Sequence, residues 1–208
     1  MARRTFFSFH YERDAWRAGQ VRNCDLLPSA DEFGFVDSVE WESIQRRGDT
    51  AIRKWIEDQL QYTSVTVVLI GAETARRPWV QHEILRSWNH GNGVVGVRIH
   101  NIKNHDKATD TPGPDPFYQF ALPDGTRLSE ICKTHDWVTD DGRNSLGKWC
   151  EGAVEVRSKF GLKDEISFAG DCGGKAEKSN FVPRMAAAAP AAFTPRAPWC
   201  IDDADAGR

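Results

Sequence analysis

The segment TSVTVVLIG at residues 63–71 constrains the fold of this chain more than any other stretch. It is rich in β-branched side chains, nearly continuous in apolar character, and bounded by Gly71. Such a run is typical of a strand that is buried on both faces of a parallel sheet. A stretch of this length is too short to cross a lipid bilayer. We therefore predict that the chain folds around a buried sheet.

The segments around this strand alternate between strand and helix patterns. Four further strands are predicted, at 5–11, 33–38, 93–101 and, with a weaker pattern, 130–138. Helices are predicted between and after them, at about 12–23, 50–60, 78–90 and 149–160. This alternation favours a flavodoxin-like α/β fold, a doubly wound five-stranded parallel sheet with helices on both faces. The ligand site of such a domain lies beyond the carboxyl ends of the strands.

Two regions rich in proline and glycine are predicted to lie outside this framework. Residues 103–127 contain DTPGPDP and PDG, which are typical of a long surface loop. Around residue 165 the sequence becomes rich in alanine, proline, glycine and charge. We assign residues 1–162 to the α/β domain and predict that residues 163–208 form a disordered tail.

Composition argues against several classes of partner. A net charge of −3 over 208 residues gives no electrostatic reason to expect nucleic acid or an acidic membrane as a partner. The five cysteines are scattered and never form a C-x-x-C pair, so neither a disulfide framework nor a zinc site is expected. The apolar run near the N-terminus is too short for a secretory signal. We expect a soluble, cytoplasmic protein without a metal centre.

One glycine-rich segment matches a nucleotide-binding pattern but stands in the wrong context. GNGVVG at 91–96 fits G-x-G-x-x-G. It precedes a predicted strand, whereas the dinucleotide fingerprint follows a strand and opens the helix that receives the pyrophosphate. The segment therefore predicts a helix C-cap followed by a turn.

The helix predicted after the central strand carries a glutamate that is open to two interpretations. Its apolar residues recur at steps of four and form a buried stripe, at Val80, Ile84 and Trp88. Glu83 lies on an adjacent face, three residues before Arg86. Spacing alone favours a surface acid that pairs with Arg86 and contributes roughly a few tenths of a kcal/mol. A catalytic carboxylate is the alternative.

Eight segments, in the order in which they occur, resemble one known family. They are RTFFSFHY, VRN, DSVEW, GDTAIRKWI, TSVTVVLIG, WVQHEILRS, GNGVVGVRI and DWVTDDG. Together they resemble the TIR-like ThsB proteins of the Thoeris anti-phage system, over about residues 1–160. One such motif would be a weak signal, whereas the ordered set is specific. The Ala/Pro-rich tail has no counterpart in this resemblance.

The resemblance implies a signalling enzyme that consumes NAD⁺. Such a protein is expected to cleave the nicotinamide–ribose bond and to make a cyclic ADP-ribose-type second messenger, which activates a separate effector, ThsA. NAD⁺ is then the substrate, and no cofactor is expected. A phage-derived trigger is implied, because an unrestrained NAD⁺ consumer would be toxic. Self-association is also implied, since TIR domains often complete their sites between subunits; a self-contained monomer is the alternative.

The same resemblance implies which residues form the site. In TIR enzymes the helix after the third strand carries the essential glutamate in a W-x-x-x-E setting, which Trp79 and Glu83 match. Glu83 is therefore the implied catalytic residue. Residues at the end of the first strand line the same pocket, and the loop after the second strand closes over it. The implied NAD-binding residues are Phe7, Ser8, His10, Tyr11, Asp37, Trp41 and Trp79.

Cleavage of NAD⁺ needs less machinery than ordinary glycoside hydrolysis. Nicotinamide leaves as a neutral molecule and needs no proton, whereas most glycosidases use two carboxyl groups. One fixed carboxylate can stabilise the positive charge that develops on the ribose. Two alternatives to this enzyme stay open: a non-catalytic TIR scaffold, and an enzyme similar to nucleoside deoxyribosyltransferases that acts on nucleosides without NAD⁺.

Overall fold

The computed structural model describes residues 3–22, 44, 46–161 and 163–169. The strands of this part are β1 Thr5–Ser8, β2 Val65–Ile70, β3 Gly93–Arg98, β4 Phe120–Ala121, β5 Thr134–Asp136 and β6 Ser167–Phe168. The helices are α1 Tyr11–Arg22, α2 Asp49–Gln61, α3 Pro78–His90, α4 Leu128–Ile131 and α5 Gly142–Ser158, and short 3₁₀ turns span Thr74–Arg76 and Pro116–Gln119. No helix within these ranges combines the length and the apolarity needed to span a membrane.

The central sheet has the strand order β1-β2-β3-β5, and each neighbouring pair is parallel. β2 pairs with β3 along its whole length, with Val65 opposite Gly93 and Ile70 opposite Arg98. The strand predicted at 33–38 lies outside the described residues, so four of the five predicted strands are described here. The predicted class, a flavodoxin-like α/β domain built on a parallel sheet, is confirmed.

The strands alternate their side chains between apolar cores on the two faces of the sheet. Val65, Val67 and Leu69 of β2 face a core that also contains side chains of α1 and α5. Val68 and Ile70 face a second core, which contains the apolar stripe of α3. All six residues of β2 are buried, as expected of a strand that is covered on both faces.

The region between β3 and α5 differs most from the prediction. Residues 103–127 are not simply a surface loop, because Phe117, Phe120 and Leu122 are almost completely buried against α3 and β2. Proline and glycine interrupt regular structure, but they do not prevent the apolar side chains between them from leaving water. The weaker strand predicted at 130–138 is partly right, since α4 occupies its start and only Thr134–Asp136 pairs with β3.

The boundary between domain and tail lies later than the sequence indicates. β6 pairs antiparallel with β4, and the Nε1–H of Trp88 donates to the carbonyl oxygen of Asp164 at 2.9 Å. Ile166 is only 3% exposed. Residues 163–169 therefore belong to the folded domain, because their pairing partners lie far away in sequence and leave no local pattern. The rest of the predicted tail, 170–208, lies outside the described residues.

The GNGVVG segment has the role that its context predicts. Gly91 caps the C-terminus of α3 with a left-handed φ of 102°, a conformation that glycine adopts without steric strain. Gly93 opens β3, where an added Cβ would lie 2.6 Å from the backbone nitrogen of Val154. These glycines end a helix and allow close packing on α5, and no helix begins there to receive a pyrophosphate.

Candidate active site

The structure brings Glu83 together with Ser8, which lies 75 residues earlier in the chain. Ser8 is the last residue of β1, and Glu83 lies in the middle of α3. The Ser8 hydroxyl donates to Oε2 of Glu83 at 2.5 Å. Ser8 is 1% exposed and Glu83 is 6% exposed, so the carboxyl group is held between strand and helix instead of in solvent.

The interpretation of Glu83 as a surface acid is wrong. Arg86, its predicted partner, instead donates to the carboxylate of Glu57 on α2 at 2.8 Å. Burial raises the pKa of Glu83 to about 8, and the hydrogen bond from Ser8 only partly opposes this shift. No basic side chain among the described residues forms an ion pair with Glu83. The site therefore holds a carboxyl group whose charge has no built-in partner.

The turn of α3 that carries Glu83 is anchored to the sheet by hydroxyl groups. Ser87 donates to the backbone oxygen of Glu83 at 2.6 Å. Thr66 of β2 donates in turn to the Ser87 hydroxyl at 2.8 Å. Both hydroxyls are fully buried, and they fix the rotation of α3 about its axis in addition to the contacts of its apolar stripe. The Glu83 carboxyl is consequently aimed at the end of β1.

Trp79 lies one turn before Glu83 on α3 and is 8% exposed. Its ring packs with Phe6 and with side chains of α2, and it meets His82 edge-on at a centroid distance of 5.9 Å. The indole Nε1–H is buried and has no hydrogen-bond partner among the described groups. Trp79 therefore forms a wall beside Glu83 and keeps one free donor.

His10 is the second buried polar residue at the end of β1. It is 7% exposed, and neither ring nitrogen has a hydrogen-bond partner in the described part of the chain. Its Nε2 lies 3.7 Å from Oε2 of Glu12, which is too long for a hydrogen bond. Burial lowers the pKa of His10, and the positive charge of Arg77 lowers it further. His10 is therefore a neutral imidazole close to the start of α3.

The remaining predicted NAD-binding residues are placed differently. Phe7 is buried in the core formed with α1 and α5, because alternate residues of β1 face opposite sides of the sheet. It therefore lies on the face opposite Ser8, and the geometry does not bring it to Glu83. Tyr11 begins α1, is half-buried, and lies with its ring 5.8 Å from that of Phe9. Asp37 and Trp41 lie outside the described residues.

Sequence reasoning missed an ionic network beside this site. Arg13 of α1 pairs with Asp110 at 2.9 Å and with Glu73 at 3.2 Å, and Glu73 also pairs with Arg77. Arg17 adds a contact with Asp110 at 3.6 Å. The network joins α1, the segment after β2 and the residue that precedes α3. In the sequence, only Arg76 and Arg77 before Pro78 indicated this ionic network, because its acidic members are scattered along the chain.

A cavity formed by described residues lies away from Glu83. This cavity of about 640 Å³ is lined by Ala75, Gln81, Asp115 and Tyr118, among others. Gln81 precedes Glu83 by two positions, which places the two side chains on nearly opposite sides of the helix. No group of three or more histidine, cysteine or acidic side chains in the described ranges is arranged to hold a metal ion.

Fold and comparison together identify the class of protein and then the family. A family model described as "Thoeris protein ThsB, TIR-like domain" matches residues 6–104, which include all of β1 except Thr5, and α3 with Glu83, so this region is a TIR-like domain. A protein of Bacillus cereus (strain MSX-D12) named "Putative cyclic ADP-D-ribose synthase ThsB1" is 32% identical over 192 residues, covering 72% of this chain and 99% of the relative. The chain belongs to the ThsB family of Thoeris proteins.

Proposed function

We propose that this chain cleaves the nicotinamide–ribose bond of NAD⁺, with Glu83 as the catalytic carboxylate, and forms a cyclic ADP-ribose-type messenger. The observation that carries the proposal is the buried carboxyl of Glu83, held by the Ser8 hydroxyl and lacking any ion pair among the described residues. The name of the Bacillus cereus relative supports the direction of this chemistry. Membership of the ThsB family supports a role in Thoeris signalling.

Glu83 has no positively charged partner among the described residues, and NAD⁺ itself can supply that charge. The nicotinamide ring of NAD⁺ is positively charged, and an opposite charge within about 4–6 Å favours the ionised form of a carboxyl group. Substrate binding therefore lowers the pKa of Glu83 from its raised value and leaves a carboxylate beside the ribose. As the glycosidic bond breaks, its electron pair leaves with neutral nicotinamide. The carboxylate then stabilises the positive charge on the ribose in a site of low dielectric constant.

The group that attacks the ribose determines the product. Attack by water, with loss of a proton, gives ADP-ribose. Attack by a nucleophilic group of the same molecule, with release of a proton, gives a cyclic isomer. Exclusion of water favours cyclisation. The low exposure of Ser8, Trp79 and Glu83 supports the cyclic product.

In this proposal the messenger diffuses to a separate effector, ThsA, and a phage-derived trigger starts the reaction. NAD⁺ is consumed as a substrate, so the protein needs no cofactor for bond cleavage. The residues that act on NAD⁺ are Glu83 on the ribose, Ser8 as the group that orients the carboxyl, and Trp79 as the wall of the pocket.

The decisive experiment is mass spectrometry of NAD⁺ products with protein isolated from phage-infected and uninfected cells. We expect wild-type protein to release nicotinamide and a cyclic ADP-ribose isomer, and Glu83→Gln to lower that rate about a hundredfold or more. Glu57→Gln is the matched control, because Glu57 is a half-exposed glutamate whose partner is Arg86. Its rate should stay within twofold of wild type, by the small contribution of surface pairs.

Three outcomes of this experiment contradict the proposal in different ways. Equal turnover by the Glu83→Gln variant removes Glu83 from the mechanism. A wild-type protein that leaves NAD⁺ intact even after infection favours the non-catalytic scaffold. Exchange of bases on a deoxynucleoside, without any use of NAD⁺, favours the deoxyribosyltransferase-like alternative.

A further inference from the structure

The end of β1 and the start of α3 form two neighbouring polar pairs. Ser8 ends β1, and the backbone oxygen of His10, two residues later, accepts the backbone N–H of Asp14 at the start of α1 at 2.8 Å. Arg13, in the first turn of α1, pairs with Glu73, which also pairs with Arg77. Ser8 contacts Glu83 in the middle of α3, and His10 lies near Arg77, the residue that precedes the helix. Ser8 at the end of β1 and His10 at the start of α1 thus lie near two successive levels of α3, the Glu83 carboxyl in its middle and the Arg77 guanidinium at its start.

Near the start of α3, several buried hydrogen-bonding groups of His10 and Arg77 have no partner among the described groups. Both ring nitrogens of His10 and the Nε–H of Arg77 have no hydrogen-bond partner among the described groups. Buried polar groups in folded proteins are normally satisfied, so each such group needs an explanation. Because His10 is more than nine-tenths buried, hydrogen bonds to bulk water do not account for its two unpaired ring nitrogens.

The start of α3 adds further donors at the same place. Arg77 is its N-cap residue and no side chain caps the helix there. The first backbone N–H groups of a helix have no intrahelical partner, and the positive end of the helix dipole favours an anion. Pro78 has no N–H, which leaves those of Trp79 and Val80 as the first free donors. A helix of 13 residues is long enough for this effect.

The acidic side chains near this level are already engaged. Glu73 pairs with Arg77 and also with Arg13, and it lies 40% exposed at the rim. Glu12 is 78% exposed and makes no hydrogen bond to His10. Arg77 uses its Nη2 for Glu73, so its Nε–H stays available on the buried side.

We propose that His10, Arg77 and the first turn of α3 bind the phosphate attached to the 5′ oxygen of the ribose that Glu83 acts on. In a dinucleotide this is the pyrophosphate. The inference rests on the proposed function, because that function places the glycosidic carbon at Glu83. It adds Arg77 as a substrate-binding residue and gives His10 a specific contact, the donation of its single N–H to a phosphate oxygen.

The spacing of the two levels agrees with the size of the ligand. The four residues from Trp79, in the first turn of α3, to Glu83 rise about 6 Å along the helix. A single ribose separates a glycosidic carbon from its 5′ phosphate, and its length is of the same order. A ligand with its sugar at Ser8 and Glu83 therefore brings its first phosphate to His10 and Arg77.

Isothermal titration calorimetry with ADP-ribose tests the phosphate contact separately from catalysis. We expect Arg77→Gln to weaken ADP-ribose binding about tenfold or more, as for the loss of a hydrogen bond from a charged group. Arg77→Lys, which keeps the charge and can still pair with Glu73, should lose less. His10→Asn should weaken binding a few-fold. Melting temperatures of all variants establish that each protein is folded.

Two controls make the result specific. Arg86→Gln removes an arginine from the same helix that pairs with Glu57, and it should leave ADP-ribose binding unchanged. Nicotinamide riboside has the same sugar and ring but no phosphate, so its binding should be equal in wild type and Arg77→Gln. Glu83→Gln should lower turnover about a hundredfold or more and still bind ADP-ribose.

Distinct results overturn the inference and the proposed function. Equal ADP-ribose affinity in folded wild type and Arg77→Gln, or no ADP-ribose binding by folded wild type, overturns the phosphate site. Arg77-dependent binding without any NAD⁺ cleavage overturns the proposed enzyme and leaves the phosphate site standing. An equal loss for nicotinamide riboside would show that Arg77 acts on the fold instead of on phosphate.

Discussion

Glu83 and Asp14 are both buried carboxyl groups, but their surroundings differ in charge. Asp14 of α1 is 0% exposed, and its nearest charged neighbour is Arg17, with Nη1 4.0 Å from Oδ1. Burial raises the pKa of Asp14 to about 6, while Arg17 and Arg13 oppose that rise. Burial raises the pKa of Glu83 to about 8, with only the Ser8 hydroxyl in opposition.

The difference shows how the charged groups around a buried carboxyl group set its pKa. Arginines of the ionic network partly offset the effect of burial on Asp14, so its pKa rises less than that of Glu83. Glu83 has no such compensation among the described residues, and an external cation can supply it. Strongly perturbed carboxyl groups of this kind are common at functional sites.

The largest expected effect on stability concerns Glu83→Gln. The pKa of Glu83 is raised in the folded state from 4.5 to about 8, so between these values the folded protein binds more protons than the unfolded chain. Stability is therefore fully present below pH 4.5 and falls as the pH rises toward 8. Glu83→Gln should raise the free energy of unfolding at pH 7 by about 3 kcal/mol, as measured by urea denaturation.

The matched variant Asp14→Asn sharpens this comparison. The raised pKa of Asp14 makes stability fall between pH 3.8 and about 6, and above that range Asp14 adds no further slope. The fall in stability between pH 6.5 and 8 that Glu83 causes should therefore be absent from Glu83→Gln and present in Asp14→Asn. A pH dependence in Glu83→Gln equal to that of wild type would contradict the assignment of the raised pKa to Glu83.

A smaller effect is expected from Gly71→Ala, which acts on the Asp14 side alone. Gly71 follows β2, and an added Cβ would lie 2.2 Å from Oδ2 of Asp14. Asp14 is enclosed, so the clash should lower the free energy of unfolding by about 1–3 kcal/mol. The double variant Gly71→Ala, Asp14→Ala should recover part of the loss in the same denaturation experiment. Absence of any such recovery would show that the strain lies elsewhere.

The smallest effect is expected from Ser8→Ala, which acts on the Glu83 side. The Ser8 hydroxyl lowers the pKa of Glu83, so its removal should shift that pKa further upward. In wild type, kcat/KM for NAD⁺ should rise with pH to a plateau above about pH 8, since it reports the free enzyme. Ser8→Ala should move this midpoint to higher pH and cost about 1 kcal/mol of stability. An unchanged midpoint would exclude the hydroxyl as the partner of Glu83.

Sequence patterns predicted the elements of the site better than their contacts. The stripe Val80, Ile84 and Trp88 was predicted to be buried and is buried, since helical periodicity records which face meets a core. The prediction for Phe7 failed to allow for strand alternation, which turns its side chain away from Ser8. Arg77 carried no signal in the sequence beyond its charge, because its importance depends on His10 and Glu73.

The sequence by itself determined the alternation of strands and helices, the buried character of β2 and the position of Glu83 on a helix. These properties depend on local periodicity and composition, which neighbouring residues carry. Tertiary structure decided that Glu83 is buried, that Ser8 is its partner and that Arg86 turns to Glu57. It also decided that 163–169 belong to the domain. Burial and pairing depend on distant segments meeting, and a carboxyl group loses its water only when the sheet and α3 close around it.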